Sequence, residues 1–489
     1  MNIRTIFLTT IILTLTACSR GAFDRDENFF DSGYYPIPDA VDGGDSFDEI
    51  KENGFIRTSE QNVSTFSVDA DGAAYAYMRR SIASGWMPTP NAVRIEEYLN
   101  YFTYDYPEPV GDESVSINGE IGDCPWNTNH KLMRLGIKGR TIPQDEMPDA
   151  NYVFLIDVSG SMNSSDKLPL LKTGLKTLTD YLRPTDRISI VTYSGKAEML
   201  LESTLASDAE TIKTAISKLV ASGSTAGGQA MKMAYEEALA NYIEGGNNRV
   251  IMGTDGDFNV GVTSTDELLE MVQDYASKGI YITVCGFGTG NLNDSMMEKI
   301  SNEGNGTYEY IDCEDELTKV FVNERSKFFS VANDAKVQVT FNPELIESYR
   351  LIGYENRSLS NEDFGNDRKD AGEIGAGQTI TALYEIVPAS SYDDRKSPAR
   401  FDFRYKKALS EASRPLSVDI PASRSASYTE FDFAAGVAAY GMLLRNSEYK
   451  GDASFSMVRG LVESGLSFDP YGYRKAFLDI VETAESISR

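Results

Sequence analysis

Between residues 151 and 329 the sequence alternates between short apolar runs and longer segments with helical spacing. The apolar runs predict five strands, at 152–156, 188–192, 250–253, 280–287 and 307–311. The longer segments predict five helices, at 168–182, 209–219, 229–242, 265–276 and 295–300. Strands that alternate with helices are typical of a parallel sheet that is covered by helices on both faces. The sequence therefore predicts a doubly wound, Rossmann-like α/β domain over residues 150–330.

The regions on either side of this domain have other patterns. Residues 62–145 predict an α+β region, with two helices near 71–85 and 91–102 followed by strands at 114–121 and 132–137. Residues 331–425 predict antiparallel β-structure, with strands around 337–341, 379–386 and 401–405. Residues 426–489 return to helical spacing. Because strands are predicted on both sides of the α/β domain, we infer one β domain that the α/β domain interrupts.

The charge of the chain limits its partners. Its 489 residues include 46 Lys and Arg against 74 Asp and Glu, a formal net charge of −28. Such a charge repels phosphate backbones, so we expect no nucleic acid partner. No acidic tract is long enough to form a dedicated site, and the charge indicates mainly a solvated surface.

The residue types needed for nucleophilic catalysis are scarce. His130 is the single histidine, and its turn-like neighbours predict a surface position. The sequence contains neither a G-x-S-x-G nucleophile motif nor a G-x-x-x-x-G-K-[ST] phosphate loop. Of the four cysteines, Cys285 lies in a predicted strand, and a bond between Cys124 and Cys313 stays open. We therefore predict that the protein is not an enzyme.

The N-terminus has the features of an export signal. Residues 1–18 contain Arg4, a short apolar stretch and then Leu15-Thr16-Ala17-Cys18, which resembles the lipobox of bacterial lipoproteins. That resemblance implies a lipid on Cys18 and a location in the bacterial cell envelope; the alternative is an ordinary signal peptide with a chance cysteine. The non-acidic Ser19 favours the outer membrane. Residues 19–61 are acidic and rich in Gly and Ser, which predicts a flexible tether.

Three loops of the α/β domain carry oxygen ligands. Asp157, Ser159 and Ser161 directly follow the first predicted strand, and Asp255 follows the strand at 249–254. The Gly-rich turn 223–228 supplies Thr225. The carboxyl ends of parallel strands meet at one edge of the sheet, so we expect these loops to converge. Carboxylates and hydroxyls are the ligands that Mg²⁺ prefers.

This pattern resembles the von Willebrand factor type A (VWA) family. The family's metal-ion-dependent adhesion site has the sequence D-x-S-x-S, a distant Thr, and an Asp in T-D-G, and all five positions are filled here. The resemblance implies that these side chains bind Mg²⁺, with Mn²⁺ or Ca²⁺ as alternatives. It also implies that an acidic residue of a partner protein completes the metal shell. The alternative is a domain that keeps the fold without binding metal.

Short motifs in the flanking regions add a narrower resemblance, to a bacterial group of exported type A domain proteins that is typified by YfbK. The motifs lie at 64–69, 92–97, 349–354 and 370–375. The sequence as a whole predicts an envelope lipoprotein that binds a protein partner through a divalent cation. The alternatives are a scaffold that the metal only rigidifies and a metal-dependent hydrolase.

Overall fold

The structure is a computed structural model that describes residues 44–68, 71–223, 227–256, 264–369, 371–423 and 429–489. The predicted signal peptide, Cys18 and residues 19–43 of the predicted tether lie outside these ranges. The N-terminal part contains β1 (Ile56–Arg57), β2 (Val63–Ser67), α1 (Ala73–Ala83), α2 (Ile95–Asn100), β3 (Val115–Asp123) and β4 (Lys131–Gly139). Both predicted helices and both predicted strands of this part are therefore confirmed.

The central part forms the predicted α/β domain. Its strands are β5 (Ala150–Asp157), β6 (Arg187–Tyr193), β7 (Ala197–Leu205), β8 (Asn247–Thr254), β9 (Ile280–Phe287) and β10 (Thr307–Ile311). Its helices are α3 (Leu168–Tyr181), α4 (Ala209–Ser217), α5 (Gly228–Ala240), α6 (Thr265–Ser277), α7 (Asp294–Glu303) and α8 (Glu314–Thr318). The strands form one sheet in the order β10-β9-β8-β5-β6-β7. All pairs are parallel except β6 with β7, and the predicted doubly wound fold is confirmed.

The sequence analysis missed the edge strand β7. Its segment, 197–205, has no buried residue along its whole length and lacks the apolar alternation of a half-buried strand. By contrast, every residue of the central strand β5 is buried, because helices cover both faces of the sheet. A long apolar run therefore identified β5, and no comparable signal marked β7.

The C-terminal part contains β11 (Ser330–Phe341), β12 (Ile346–Ile352), β13 (Gly372–Gly375), β14 (Thr379–Pro388), β15 (Ala399–Lys406) and β16 (Arg414–Ile420). Three helices follow: α9 (Glu430–Arg445), α10 (Phe455–Ser464) and α11 (Tyr473–Ile487). Two antiparallel sheets form, in the orders β1-β12-β14-β4-β3 and β13-β11-β15-β16, with β2 paired to β11. Since β4 pairs with β14 and β2 with β11 across the α/β domain, the β domain is interrupted, as inferred.

The two antiparallel sheets share an apolar core, which includes Phe66, Met133, Val337, Tyr384 and Phe401. Helices α1, α2, α9, α10 and α11 cover the outer face of one sheet through a second core. The helix α9 is apolar nearly all round because the sheet and the neighbouring helices enclose it. Trp126 is buried in this second core.

The tether prediction does not hold for residues 44–61. Asn53 donates hydrogen bonds to the carbonyl oxygens of Leu351 and Gly353, and β1 pairs with β12. Phe47 packs edge-on against Tyr77, with 4.9 Å between ring centroids. The acidic composition of this segment suggested solvation, but its few apolar and amide side chains hold it on the body.

Candidate metal centre

Asp157 stands at the carboxyl end of the central strand β5. This strand lies between β6 and β8, and the Asp157 side chain is fully buried. Its Oδ1 accepts a hydrogen bond of 2.7 Å from the backbone N–H of Ser159. The buried hydroxyl of Tyr193, on the neighbouring strand, contacts the same carboxylate; burial and the Asp157 charge together raise the pKa of Tyr193 well above its ordinary value. The carboxylate thus fixes the start of the loop that carries the two serines.

The two serine hydroxyls lie side by side. Ser159 Oγ and Ser161 Oγ are 2.9 Å apart. Ser159 is buried, whereas Ser161 is exposed. The loop is held by a 3.1 Å hydrogen bond from the Gly160 N–H to the carbonyl oxygen of Gly223, at the start of the Gly-rich turn. The two hydroxyls are therefore in hydrogen-bond contact, one on a buried residue and the other on an exposed residue.

Asp255 follows strand β8 and meets the serine loop from the side. The Ser161 hydroxyl, the Lys167 ammonium and the Asn291 side chain are hydrogen-bonded to its carboxylate. Burial by itself would raise the pKa of Asp255, but these hydrogen bonds and the Lys167 charge lower the pKa below its ordinary value. Asp255 is consequently ionised at neutral pH.

The sequence analysis did not single out Lys167. It is buried just before helix α3, and its Nζ lies 2.9 Å from Asp255 Oδ2 and 3.3 Å from Asn291 Oδ1. Its side chain runs over Gly288, where a Cβ atom would come within 2.1 Å of Lys167 Cε. A basic residue six positions after Ser161 was visible in the sequence. Its position against Asp255 depends on the packing of α3 against the sheet.

A second missed residue is Asp45, at the start of the described chain. Asp45 Oδ1 accepts hydrogen bonds from the backbone N–H groups of Gly290 and Leu292, at 2.7 and 2.9 Å. The loop it holds also supplies Asn291 and passes close to Gly256, which has φ +95°. A Cβ at Gly256 would lie 2.7 Å from Leu292 Cα, so only glycine permits this approach.

The donor set and its spacing fit a small oxygen-liganded cation. Two oxygens bound at about 2.1 Å on adjacent octahedral positions of Mg²⁺ lie about 3.0 Å apart, close to the observed hydroxyl separation. Across the described ranges no group of three or more His, Cys, Asp or Glu side chains could hold a metal. Thr225, the fifth predicted ligand, lies outside the described residues.

The predicted surface position of His130 holds only in part. The ring is partly buried, and its Nδ1 lies 2.5 Å from Glu385 Oε1. Trp126 Nε1 and Arg350 Nη2 donate to the other oxygen of Glu385, at 3.2 and 2.8 Å. The turn that contains His130 joins β3 to β4, and the pairing of β4 with β14 brings the ring to Glu385. His130 therefore takes part in a buried polar network that its sequence neighbours did not indicate.

The cysteine question that the sequence left open is answered by the structure. Cys124, Cys285 and Cys313 are thiols, so Cys124 and Cys313 do not form a disulfide. Burial, with a smaller contribution from the Glu385 charge, raises the pKa of Cys124 to about 12. The Cys124 thiol is therefore protonated and unreactive at neutral pH.

In the part of the chain that the structure describes, no helix has both the length and the apolar character to cross a bilayer.

Comparison with known proteins agrees with this fold. Residues 151–323 match the family model of the von Willebrand factor type A domain. Residues 42–134 match a model described as von Willebrand factor, and residues 326–487 match the C-terminal model of the uncharacterized protein YfbK. The three matches together extend from the segment that contains Asp45 to the last helix.

One relative covers nearly the whole chain. The uncharacterized protein YfbK of Escherichia coli K12 is 36% identical over 468 residues, which are 90% of this chain and 81% of that protein. The chain therefore belongs to the YfbK family of proteins with a von Willebrand factor type A domain.

More distant relatives share only part of the chain. Human inter-alpha-trypsin inhibitor heavy chain H4 is 32% identical over 168 residues, which are 32% of this chain and 17% of that protein. Among solved structures, a von Willebrand factor type A protein from Catenulispora acidiphila is 18% identical, with a TM-score of 0.42. The structural match covers 73% of this chain and 89% of the Catenulispora acidiphila protein.

Proposed function

We propose that this protein binds a protein partner through a divalent cation held by Asp157, Ser159, Ser161, Thr225 and Asp255. The observation that carries the proposal is the pair of serine hydroxyls, 2.9 Å apart and flanked by carboxylates from two adjacent parallel strands. Mg²⁺ fits this set best, and Mn²⁺ or Ca²⁺ are alternatives. The cation supplies a Lewis-acidic position for an incoming carboxylate.

The charge balance of the site supports an acidic partner. The two serines are neutral ligands, and Lys167 already neutralises part of the Asp255 charge. A bound dication therefore keeps net positive charge and attracts a carboxylate from another protein. The absence of a histidine from this ligand set and the lack of a nucleophile motif in the sequence favour binding over hydrolysis.

We also propose a location for the protein in the cell. Modification of Cys18 would anchor the chain in the bacterial envelope, and the non-acidic Ser19 favours the outer membrane. Substitution Cys18→Ser should release the protein from the membrane fraction into the soluble fraction. Retention of the variant in the membrane fraction would contradict the lipid anchor.

Two measurements on the full chain test the metal-dependent contact. Titration with MgCl₂, followed by calorimetry, should show binding to the wild type and none to Asp157→Ala. The matched control Asp180→Ala changes an exposed Asp on α3 and should bind as the wild type does. Photo-crosslinking in intact cells, from a probe placed at Asn163, should capture a partner that is lost after chelation and in Asp157→Ala.

The second candidate function is a structural scaffold whose loops the cation only rigidifies. It is favoured by the Lys167–Asp255 pair, which joins two of the loops without any metal. In that case Mg²⁺ would raise the melting temperature, but crosslinking would give the same products with and without chelator. Crosslinked partners that survive chelation would therefore exclude the receptor function.

A further inference from the structure

A groove of about 390 Å³ lies beside the candidate metal centre. One wall is the start of helix α3 together with the end of the serine loop, and the other wall is the segment that follows α4. Its lining includes Asn163, Leu168, Lys172, Lys176, Leu219 and Val220.

The groove and the serine loop, which carries Ser159 and Ser161, form one continuous surface. Asn163 is two residues from Ser161, so at most about 7 Å separates their Cα atoms. The opposite wall is tied to the same loop, since the Ser222 N–H donates to the Val158 carbonyl oxygen at 2.7 Å. The groove is therefore within reach of a polypeptide whose acidic side chain is bound at the candidate metal centre.

The groove combines an apolar floor with an exposed apolar rim. Leu168 and Leu219 are buried beneath it, whereas Val220 leaves 69% of its surface exposed. A single exposed valine is common on protein surfaces. Here it stands at the edge of a concave, largely apolar site, where it can contact a side chain from a partner.

The charge of the groove is opposite to that of the whole protein. Its lining includes Lys172 and Lys176 but no acidic residue, although the chain carries a net charge of −28. Lys172 Nζ is fixed by the carbonyl oxygens of Ser217 and Leu219, at 3.0 and 2.8 Å. Burial and the neighbouring Lys176 charge lower the pKa of Lys172. An anion between the two ammonium groups would relieve that repulsion.

Building on the proposed function, we propose that this groove binds the stretch of the partner next to its metal-bound acid. The partner segment is acidic and extended, with an apolar side chain two or three residues from the metal-bound Asp or Glu. An extended chain rises about 3.3 Å per residue, so this spacing spans about 7 to 10 Å. The apolar side chain occupies the groove beside Val220, and a second carboxylate lies against Lys172 and Lys176.

Fluorescent octapeptides test the proposal on the full chain in Mg²⁺. The probe Gly-Ser-Asp-Ser-Leu-Glu-Gly-Ser contains the metal-binding acid, the apolar residue and the second acid. Two comparison peptides replace either the Leu or the Glu with Ser. We expect each comparison peptide to bind at least tenfold more weakly than the probe in fluorescence anisotropy. Equal affinity of the three peptides would overturn the proposal.

Variants separate this proposal from the proposed function. Lys176→Glu and Val220→Asp should each lower the affinity for the probe peptide at least tenfold. The control Lys232→Glu, on the exposed face of α5, should leave this affinity unchanged. Lys176 and Val220 are not buried, so these variants should fold, which circular dichroism checks. If Asp157→Ala abolishes binding while both groove variants bind normally, the groove proposal fails and the metal contact stands. If no peptide binds in a Mg²⁺-dependent manner, both fail.

Discussion

Lys167 Nζ lies 2.9 Å from Asp255 Oδ2, so a buried ammonium already contacts one of the carboxylates that we propose as metal ligands. Lys167 is 7% exposed and Asp255 is fully buried. The pair ties the segment before α3 to the end of strand β8. It also lowers the net negative charge around Asp255, which is consistent with the proposed attraction of an acidic partner to a bound cation.

Replacement of Lys167 should make the thermal stability of the protein depend more strongly on Mg²⁺. In Lys167→Met the apolar stem remains, but Asp255 loses its charged partner, at a cost of about 3–5 kcal/mol without metal. Mg²⁺ would then neutralise the carboxylate, so it should raise the melting temperature more in the variant than in the wild type. Thermal unfolding in EDTA and in MgCl₂ checks this, with Lys176→Met as the control. Equal Mg²⁺ shifts in the two proteins would contradict it.

Asp45 should stabilise the loop that carries Asn291. In Asp45→Ala the N–H groups of Gly290 and Leu292 lose their acceptor, which costs about 1–3 kcal/mol locally. Hydrogen exchange of these two amides should become faster, while that of the β5 amides stays unchanged. The control Glu49→Ala removes an exposed acid from the same segment. Unchanged exchange at residues 290–292 would show that Asp45 does not hold the loop.

Arg474 should be essential for docking of the last helix. It is buried, and it donates to Glu430 Oε1 at 3.0 Å and to the carbonyl oxygens of Gly465 and Thr103 at 2.8 and 3.0 Å. Arg474→Met leaves the buried Glu430 without its charged partner, at a cost of about 3–5 kcal/mol. The urea midpoint should fall clearly, whereas Lys475→Met, at an exposed position, should leave it unchanged. Equal midpoints would refute this role.

Glu309 should make stability depend on pH. Burial raises its pKa from 4.5 to about 7, although Lys319 and Lys327 partly oppose the shift. The folded chain therefore binds one more proton than the unfolded chain between these values. The contribution of Glu309 to the free energy of unfolding is therefore most favourable below pH 4.5, and it falls as the pH rises to 7.

The variant Glu309→Gln should lack this pH dependence. At pH 8 it should be more stable than the wild type by about 1–3 kcal/mol, and at pH 4.5 about equally stable. Urea unfolding at both pH values measures the difference. A difference that is the same at both pH values would show that Glu309 does not titrate as described.

Residues near one another in the sequence determined much of this protein. The apolar run before Asp157 identified the central strand, and the rule that parallel strands end at one edge brought Asp255 to the same place. Both signals depend on local periodicity and on one topological regularity. For this reason the α/β fold, its helices other than α8, and the meeting of Asp157, Ser159, Ser161 and Asp255 followed from the sequence.

Tertiary structure decided the contacts between distant segments. Asp45 reaches Gly290 across 245 residues, and His130 reaches Glu385 across 255. The pairing of β4 with β14 and the position of Lys167 against Asp255 likewise depend on how whole elements pack. No periodic pattern encodes such contacts, because each requires two surfaces to fit in shape and charge after the elements have formed.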